Sequence, residues 1–146
     1  MKNIAVILSG GSGSRFGGAL PKQFTKLAGK AIIEYTIDVF QSSEDIDEII
    51  IVSQTQNVHR TWEIIKKNNW SKITKVVTGG AERFDSTYSA LTALRCNDAT
   101  CKVLFHDAVR PLVNHQIISN CLTALQDFDA VDVVISSADT LVEVYD

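Results

Sequence analysis

The chain has 146 residues, of which 45% are hydrophobic and 21% are charged, and its formal net charge is −3. A chain of this length fits one domain and can bury a core without disulfides or a structural metal. The acidic balance gives no general attraction to nucleic acid or to anionic membranes, so an anionic ligand must be met by locally clustered cations.

The predicted elements alternate between strands and helices along the whole chain. The apolar run at 4–8 is typical of a strand buried on both faces of a parallel sheet, and Ile33, Ile37 and Phe40 follow at helical spacing. In chain order we predict a strand at 4–8, a helix at 31–43, a strand at 47–54, a helix at 58–70, a strand at 72–80, a helix at 83–94, a strand at 102–111 that runs into a turn, a helix at 115–128 and a strand at 130–138. This alternation predicts an α/β fold with a mostly parallel sheet.

Four unusual stretches follow strands of this predicted sheet. They are the Gly-rich loop after the first strand, "TGGAERFDS" after the third, "HDAVRP" at the end of the fourth and "ADT" after the fifth. Ligands of parallel sheets collect beyond the carboxyl ends of the strands. We therefore predict one site built from all four stretches.

The loop "SGGSGSRFGGALPKQ" at 9–23 is dense in glycine, which lets backbone approach a ligand closely. It lacks the dinucleotide-binding fingerprint, because Phe16 stands where the third glycine belongs and the second strand ends without the acid that binds ribose. It also lacks the Gly-Lys-Ser/Thr of a P-loop. Two interpretations remain: a polyphosphate site in which Arg15 and Lys22 share the charge, or a surface loop with two solvated cations.

Three motifs in this order resemble a known family. "GGSGSRFGGALPKQF" is similar to the signature of the CTP-dependent cytidylyltransferases that act on 2-C-methyl-D-erythritol 4-phosphate or ribitol 5-phosphate. "GGAERFDS" at 79–86 and "HDAVRP" at 106–111 resemble the second and third motifs of that family. The likeness runs from Ile4 to about Thr140, and it implies a Rossmann-like sheet of the nucleotide-diphospho-sugar transferase type.

The resemblance implies transfer of CMP from CTP to a polyol phosphate with release of pyrophosphate, a reaction catalysed by positioning and charge stabilisation. By similarity, Arg15 and Lys22 are the catalytic residues, which stabilise the α-phosphate and the leaving pyrophosphate. The implied nucleotide-binding residues are Leu8, Ser9, Gly10, Gly11, Gly13, Gly80, Ala81, Arg83, Ser86 and Arg110. Thr140 would contact the acceptor.

Magnesium is the implied cofactor, and Asp107 is its candidate ligand, because a hard cation that bridges phosphates typically uses one or two carboxylates. Asp107 also has a second interpretation, as an acid that caps the turn or pairs with Arg110. Arg110 in turn either orients Asp107 or meets a phosphate. His106 has no zinc-type spacing to the other histidines, so we expect it to play a structural role at the strand end.

The chain departs from the family mainly at its end. Family members continue beyond "ADTLVEVYD" with a projecting β-arm that joins two subunits and with further acceptor-binding residues. We interpret 1–146 as one nucleotidyltransferase domain that is incomplete after Thr140, in which nucleotide binding is a safer expectation than turnover. The resemblance implies a homodimer joined through the arm, and whether this chain forms it stays open. The phrase "RFGG" and the Gly-Gly after Ser9 lean toward the ribitol-phosphate members.

Two alternatives stay open: a nucleotidyltransferase for another base or sugar phosphate, and a non-catalytic nucleotide-binding module.

The cysteines and the N-terminal segment bear on the compartment. Cys96, Cys101 and Cys121 lack zinc-type spacing, and the apolar run near the start is too short for a signal peptide or a membrane span. We therefore expect a cytoplasmic protein with reduced thiols, whose partners are CTP and a sugar or polyol phosphate and not nucleic acid or a membrane.

Overall fold

The structure is a computed structural model that describes residues 1–11, 20–80, 82–94 and 101–136. In chain order these residues form β1 (Lys2–Ser9), β2 (Lys26–Leu27), β3 (Lys30–Ala31), α1 (Ile32–Ser42), β4 (Glu48–Ser53), α2 (Val58–Asn68), β5 (Ile73–Thr78), α3 (Arg83–Ala93), β6 (Cys101–Asp107) and α4 (His115–Ala124). Short 3-10 turns at Lys22–Phe24 and Thr55–Asn57 precede β2 and α2.

β1 lies inside a four-stranded sheet whose order is β5-β4-β1-β6 and whose neighbouring strands run parallel. The chain moves outward from β1 through β4 to β5, and then crosses to the other side of β1 for β6. The register aligns Leu8 with Val52 of β4 and with Asp107 of β6, so these strands end at one level. The reversal of strand order beside β1 is where ligands of such sheets bind.

Helices cover both faces of the sheet because its strands are apolar on both sides. Ala5 and Ile7 of β1 belong to a core that α1, α2 and α4 complete. Ile4 and Val6 belong to a second core against α3, where Ala90 is fully buried. The predicted burial of this run on both faces is therefore confirmed over these four residues.

The predicted α/β fold with a mostly parallel sheet is confirmed. The helices predicted at 31–43, 58–70, 83–94 and 115–128 and the strands predicted at 4–8, 47–54 and 72–80 are present with slightly different ends. The strand predicted at 102–111 ends earlier, at Asp107. The hairpin of β2 and β3 carried no clear sequence signal, and its turn places Ala28 at φ +49° and Gly29 at φ +85°.

The strand predicted at 130–138 is wrong over its described residues, 130–136, which form no strand. Val133, Val134 and Ile135 are 59%, 79% and 92% exposed, so the apolar pattern does not bury this segment. A strand needs a neighbour for its backbone hydrogen bonds. β6 is the last strand on this side of the described sheet, and it forms no ladder with 130–136.

Two observations bear on the expected compartment. Cys101, the first residue of β6, is disulfide-bonded, so the prediction of reduced thiols is wrong for it. Cys121 in α4 carries a free, half-buried thiol, and Cys96 lies outside the described residues. Within the described ranges, no helix has the length and apolar character needed to cross a membrane.

Glu34 is a buried carboxylate that joins the start of α1 to the end of α2. It is 3% exposed and accepts hydrogen bonds from Ala31 N at 2.7 Å, Asn68 Nδ2 at 2.9 Å and Lys67 Nζ at 3.1 Å. Burial by itself raises the pKa of this carboxyl, but the three donors outweigh burial and hold the pKa below its usual value. The folded chain therefore favours the charged form.

We expect Glu34→Gln to destabilise the fold by about 1–3 kcal/mol at neutral pH, because the amide lacks the charge that Lys67 requires and leaves buried donors poorly paired. Since the folded-state pKa lies below 4.5, this stabilisation is complete above pH 4.5 and is lost as the pH falls through the folded value. Urea unfolding from neutral to acidic pH measures the effect, and the two proteins should converge in acid. Glu63→Gln, whose side chain is 65% exposed, is the control. Equal stability of Glu34→Gln and wild type at neutral pH would contradict the prediction.

Candidate functional site

A cleft of about 560 Å³ opens at the carboxyl ends of β1 and β6, where the strand order reverses. The predicted residues that line it are Leu8, Ser9, Gly10, Gly11, Lys22, Gly80, Arg83, Ser86 and Asp107. Gln23, Gln54, Glu82, Ala108 and Val109 also line it, and nothing in the sequence singled them out. The structure thus brings residues of all three motifs together.

Backbone hydrogen bonds at the end of β1 fix the position of the third motif along the sheet. Ala108 N donates to Leu8 O at 2.9 Å, so Asp107 lies level with Leu8 at the cleft. The chain then turns, and Arg110 N donates to Asp107 O at 3.1 Å. This turn brings Arg110 back beside the carboxylate of Asp107.

Lys22 belongs to the 3-10 turn Lys22–Phe24, which a buried glutamine ties to β1. Gln23 is 3% exposed, and its Nε2 donates to Ser9 O at 3.0 Å. Phe24 is buried, and the Arg60 guanidinium lies 4.9 Å from its ring centroid. Sequence reasoning missed Gln23 because a glutamine next to a lysine usually lies at the surface. The exposed Lys22 is therefore placed at the cleft by a buried support.

Ser86, in the first turn of α3, joins the first and second motifs. It is 6% exposed, and a Cβ added at Gly10 would stand 3.1 Å from its Oγ, while one added at Gly79 would stand 2.6 Å away. Gly79 N also donates to Ser53 O at 2.9 Å, at the end of β4. Gly79 must be glycine because the serine occupies the space that a side chain would need.

Asp107 is held between two arginines from different motifs. Its Oδ2 forms an ion pair with Arg110 Nε at 2.8 Å, and its Oδ1 lies 3.2 Å from Arg83 Nη2. The Asp107 side chain is 18% exposed, whereas each arginine side chain is 72% exposed. The pairing of Asp107 with Arg110, which the sequence offered as the alternative to a metal ligand, is present, and Arg83 lies against the other carboxylate oxygen.

His106 stabilises the backbone of the same turn. Its Nε2 donates to Arg110 O at 3.0 Å, and its ring packs on Phe40 with the centroids 5.2 Å apart. Burial lowers the pKa of His106 below its usual value, so the ring is neutral at neutral pH. These contacts agree with the structural role expected at the strand end.

Four of the predicted site residues, Gly13, Arg15, Ala81 and Thr140, lie outside the described residues. Their roles stay predictions. The described chain contributes Lys22, Arg83 and Arg110 as cations at or beside the cleft.

A larger cavity of about 880 Å³ lies between β6, α4 and residues 129–133. Much of its lining is apolar, from residues such as Leu104, Ile117 and Val133. Glycine backbone and Lys22 line the smaller cleft. We place the candidate site there because backbone N–H groups and cations are what an anionic ligand requires.

The next question is whether the side chains around Asp107 are sufficient to hold a metal ion. Over the described ranges, no group of three or more His, Cys, Asp or Glu side chains is placed to hold a metal ion. One hard carboxylate suits a Mg²⁺ ion whose other ligands are phosphate oxygens and water. The residues therefore fit a metal that is held jointly with a phosphorylated ligand.

Comparisons with known proteins identify related proteins along most of the chain. Residues 3–146 match the family described as IspD: 2-C-methyl-D-erythritol 4-phosphate cytidylyltransferase. The chain is 49% identical, over 98% of its length, to a Haemophilus influenzae protein named bifunctional ribulose 5-phosphate reductase/CDP-ribitol pyrophosphorylase Bcs1. It is 37% identical, over 96% of its length, to the 2-C-methyl-D-erythritol 4-phosphate cytidylyltransferase of Thermobifida fusca.

A solved structure agrees with these relatives. The 4-diphosphocytidyl-2C-methyl-D-erythritol synthase of Anaerococcus prevotii matches with a TM-score of 0.69 and 28% identity, over 86% of this chain and 51% of that one. The chain spans 30% of the H. influenzae protein and 56% of the T. fusca protein. It is therefore shorter than the proteins it resembles.

Proposed function

The chain belongs to the IspD family of 2-C-methyl-D-erythritol 4-phosphate cytidylyltransferases, and on this premise we propose that it is the nucleotide-binding part of an enzyme that transfers CMP from CTP to a polyol phosphate. One observation carries the proposal: the cleft joins glycine backbone from two motifs to Lys22 and Arg83 around Asp107. Backbone N–H groups and fixed cations are the partners that a triphosphate requires. We treat 1–146 as one nucleotidyltransferase domain.

In the proposed reaction an oxygen of the acceptor's phosphate attacks the α-phosphorus of CTP. A new phosphorus–oxygen bond forms as the bond to the bridging oxygen breaks, and pyrophosphate leaves with that oxygen and its electron pair. Negative charge grows on the bridging and leaving oxygens, where Lys22, with Arg15 by resemblance, would stabilise it. The nucleotide would be held mainly through the backbone of Leu8, Ser9, Gly10, Gly11, Gly13 and Gly80, with Ala81, Arg83, Ser86 and Arg110 beside it.

We propose Mg²⁺ as the cofactor, with Asp107 as its protein ligand. When bound, Mg²⁺ neutralises phosphate charge and orients the triphosphate. The role of the protein is to hold the Asp107 carboxylate level with Leu8, at the cleft where the phosphates would lie.

Ribitol 5-phosphate is the acceptor we favour. The relative with 49% identity is named a CDP-ribitol pyrophosphorylase, whereas the one with 37% identity is named a 2-C-methyl-D-erythritol 4-phosphate cytidylyltransferase. 2-C-methyl-D-erythritol 4-phosphate as the acceptor would place the protein in isoprenoid biosynthesis. Thr140 is the proposed acceptor contact, and the cytoplasm is the proposed location because CTP is available there.

Titration calorimetry with CTP, UTP, ATP and NAD in the presence of Mg²⁺ tests the proposal. We expect preferential binding of CTP, because backbone groups on the loops would read the cytosine edge. Pyrophosphate release from CTP, with ribitol 5-phosphate or methylerythritol phosphate, then tests for transfer. Tighter binding of NAD than of CTP would contradict the proposal, and CTP binding without pyrophosphate release would favour a non-catalytic nucleotide-binding module.

Asp107→Asn should make CTP binding insensitive to magnesium, because the amide is a poor ligand for a hard cation. In the wild type we expect Mg²⁺ to change the CTP affinity about tenfold, which corresponds to about 1.4 kcal/mol. The measurement is calorimetry in Mg²⁺ and in EDTA, with Asp132→Asn as the control at an exposed position. An unchanged magnesium dependence in Asp107→Asn would remove Asp107 from the metal site.

A further inference from the structure

Each oxygen of the Asp107 carboxylate forms an ion pair with a different arginine, and this arrangement goes beyond what the proposed reaction requires. Arg110 Nε binds Oδ2 at 2.8 Å, and Arg83 Nη2 lies 3.2 Å from Oδ1. Each oxygen keeps a second lone pair, but a cation that approaches it must come close to a guanidinium group. Two positive charges facing one negative charge also leave the cluster net positive, which repels a divalent ion.

The cluster combines a carboxylate on a fixed backbone, Asp107, with two exposed arginine side chains that are able to move. The backbone around Asp107 is held by Ala108 N to Leu8 O and by His106 Nε2 to Arg110 O. The arginine side chains are each 72% exposed and approach from two different elements, α3 and the turn after β6. Exposed ion pairs of this kind exchange partners at little cost in free energy.

We propose that Arg83 and Arg110 form a clamp that excludes divalent cations from Asp107 until a polyphosphate is present. When a triphosphate enters, the two guanidinium groups transfer from the carboxylate to phosphate oxygens, for which their planar forks are well suited. This transfer leaves the Asp107 oxygens open to the cation that accompanies the phosphates. The inference rests on the proposed function, and it makes metal binding conditional on the nucleotide.

The clamp accounts for two observations together. Within the described ranges no group of three or more metal-ligating side chains is placed to hold an ion. Asp107, which is level with Leu8, is paired with Arg83 of the second motif and with Arg110 of its own motif. Arg110 therefore has both of the roles that the sequence left open, first pairing with Asp107 and then meeting a phosphate.

Paramagnetic broadening of ¹⁵N–¹H resonances by Mn²⁺ tests the clamp, because it detects weak binding without any turnover. The reporter is the Ala108 amide, which is next to Asp107. In the wild type we expect broadening at low Mn²⁺ concentration only when tripolyphosphate or CTP is added. In Arg83→Gln/Arg110→Gln, half-maximal broadening without any phosphate should occur at a Mn²⁺ concentration about tenfold lower than in the wild type.

Two further variants keep this test specific. Lys26→Gln/Lys66→Gln removes the same amount of charge at exposed positions outside the cleft and should behave as the wild type. Adding Asp107→Asn to the arginine double variant should abolish the gained broadening, which identifies the carboxylate as the ligand. Circular dichroism confirms that each variant is folded.

Two results would overturn the clamp: broadening of the free wild type at the Mn²⁺ concentration that suffices for the arginine double variant, or no gain in that variant. Tripolyphosphate separates this inference from the proposed function. If it recruits Mn²⁺ but CTP does not, the clamp stands and the assignment of CTP fails.

Discussion

Lys22→Ala should weaken CTP binding about 30- to 150-fold and leave the binding of cytidine unchanged. Lys22 lies in the cleft on a turn that Gln23 ties to Ser9 O, so its backbone is fixed at the site. A charge-assisted contact to a phosphate contributes about 2–3 kcal/mol, and its loss removes affinity for the triphosphate only. Where pyrophosphate release is measured, the rate should fall about 10²- to 10³-fold, because the same charge stabilises the leaving group.

Calorimetry with CTP, CDP and cytidine resolves this prediction. Lys26→Ala is the matched control, since it removes an exposed lysine of the neighbouring hairpin that does not line the cleft. The affinity lost in Lys22→Ala should grow with the number of phosphates. An equal loss for cytidine and CTP would show that the variant damages the cleft, and unchanged CTP affinity would show that Lys22 does not meet the phosphates.

Gly80→Ala should destabilise the fold by about 1–3 kcal/mol and also remove nucleotide binding. A Cβ at this position would overlap the Cβ of Asp85 and stand 2.8 Å from its Cγ. Asp85 Oδ2 accepts a hydrogen bond from Glu82 N at 3.0 Å at the start of α3. Relief of the overlap must therefore shift the first turn of α3, which positions Arg83 and Ser86 at the cleft.

Thermal unfolding and CTP titration measure the two parts of this prediction. Gly11→Ala is the control for stability, because no atom of the described residues lies within 4 Å of a Cβ built there. The control should unfold at the wild-type temperature. A Gly80→Ala protein with wild-type stability and wild-type CTP affinity would show that the approach of Gly80 to Asp85 is not required.

The sequence predicted the elements whose signal is local. The apolar run at 4–8 needs only its own residues to indicate a buried strand, and Ile33, Ile37 and Phe40 indicate a buried helix face by their spacing. The placement of the three motifs in one cleft followed from the parallel sheet, whose strand ends share one edge. These predictions required no knowledge of side-chain packing.

The features that the sequence did not reveal depend on partners far along the chain. The segment 130–136 has the composition of a strand, but it forms no ladder with β6, and composition alone does not place a segment beside the edge of a sheet. Gln23 is buried because Ser9 O needs a donor, and Glu34 is buried because α2 supplies Lys67 and Asn68. The contact between Arg83 and Asp107 joins residues of two separate motifs, and no spacing rule predicts it.

A crystal structure of the protein with CTP and Mn²⁺ tests the central claim most directly, because anomalous scattering locates the metal independently of the nucleotide. We predict that the triphosphate lies against Gly10, Gly11 and Lys22, with Mn²⁺ bound to Asp107 and to phosphate oxygens. The guanidinium groups of Arg83 and Arg110 should then contact phosphate. A nucleotide bound in the larger cavity beside β6, or a metal that does not touch Asp107, would contradict the account.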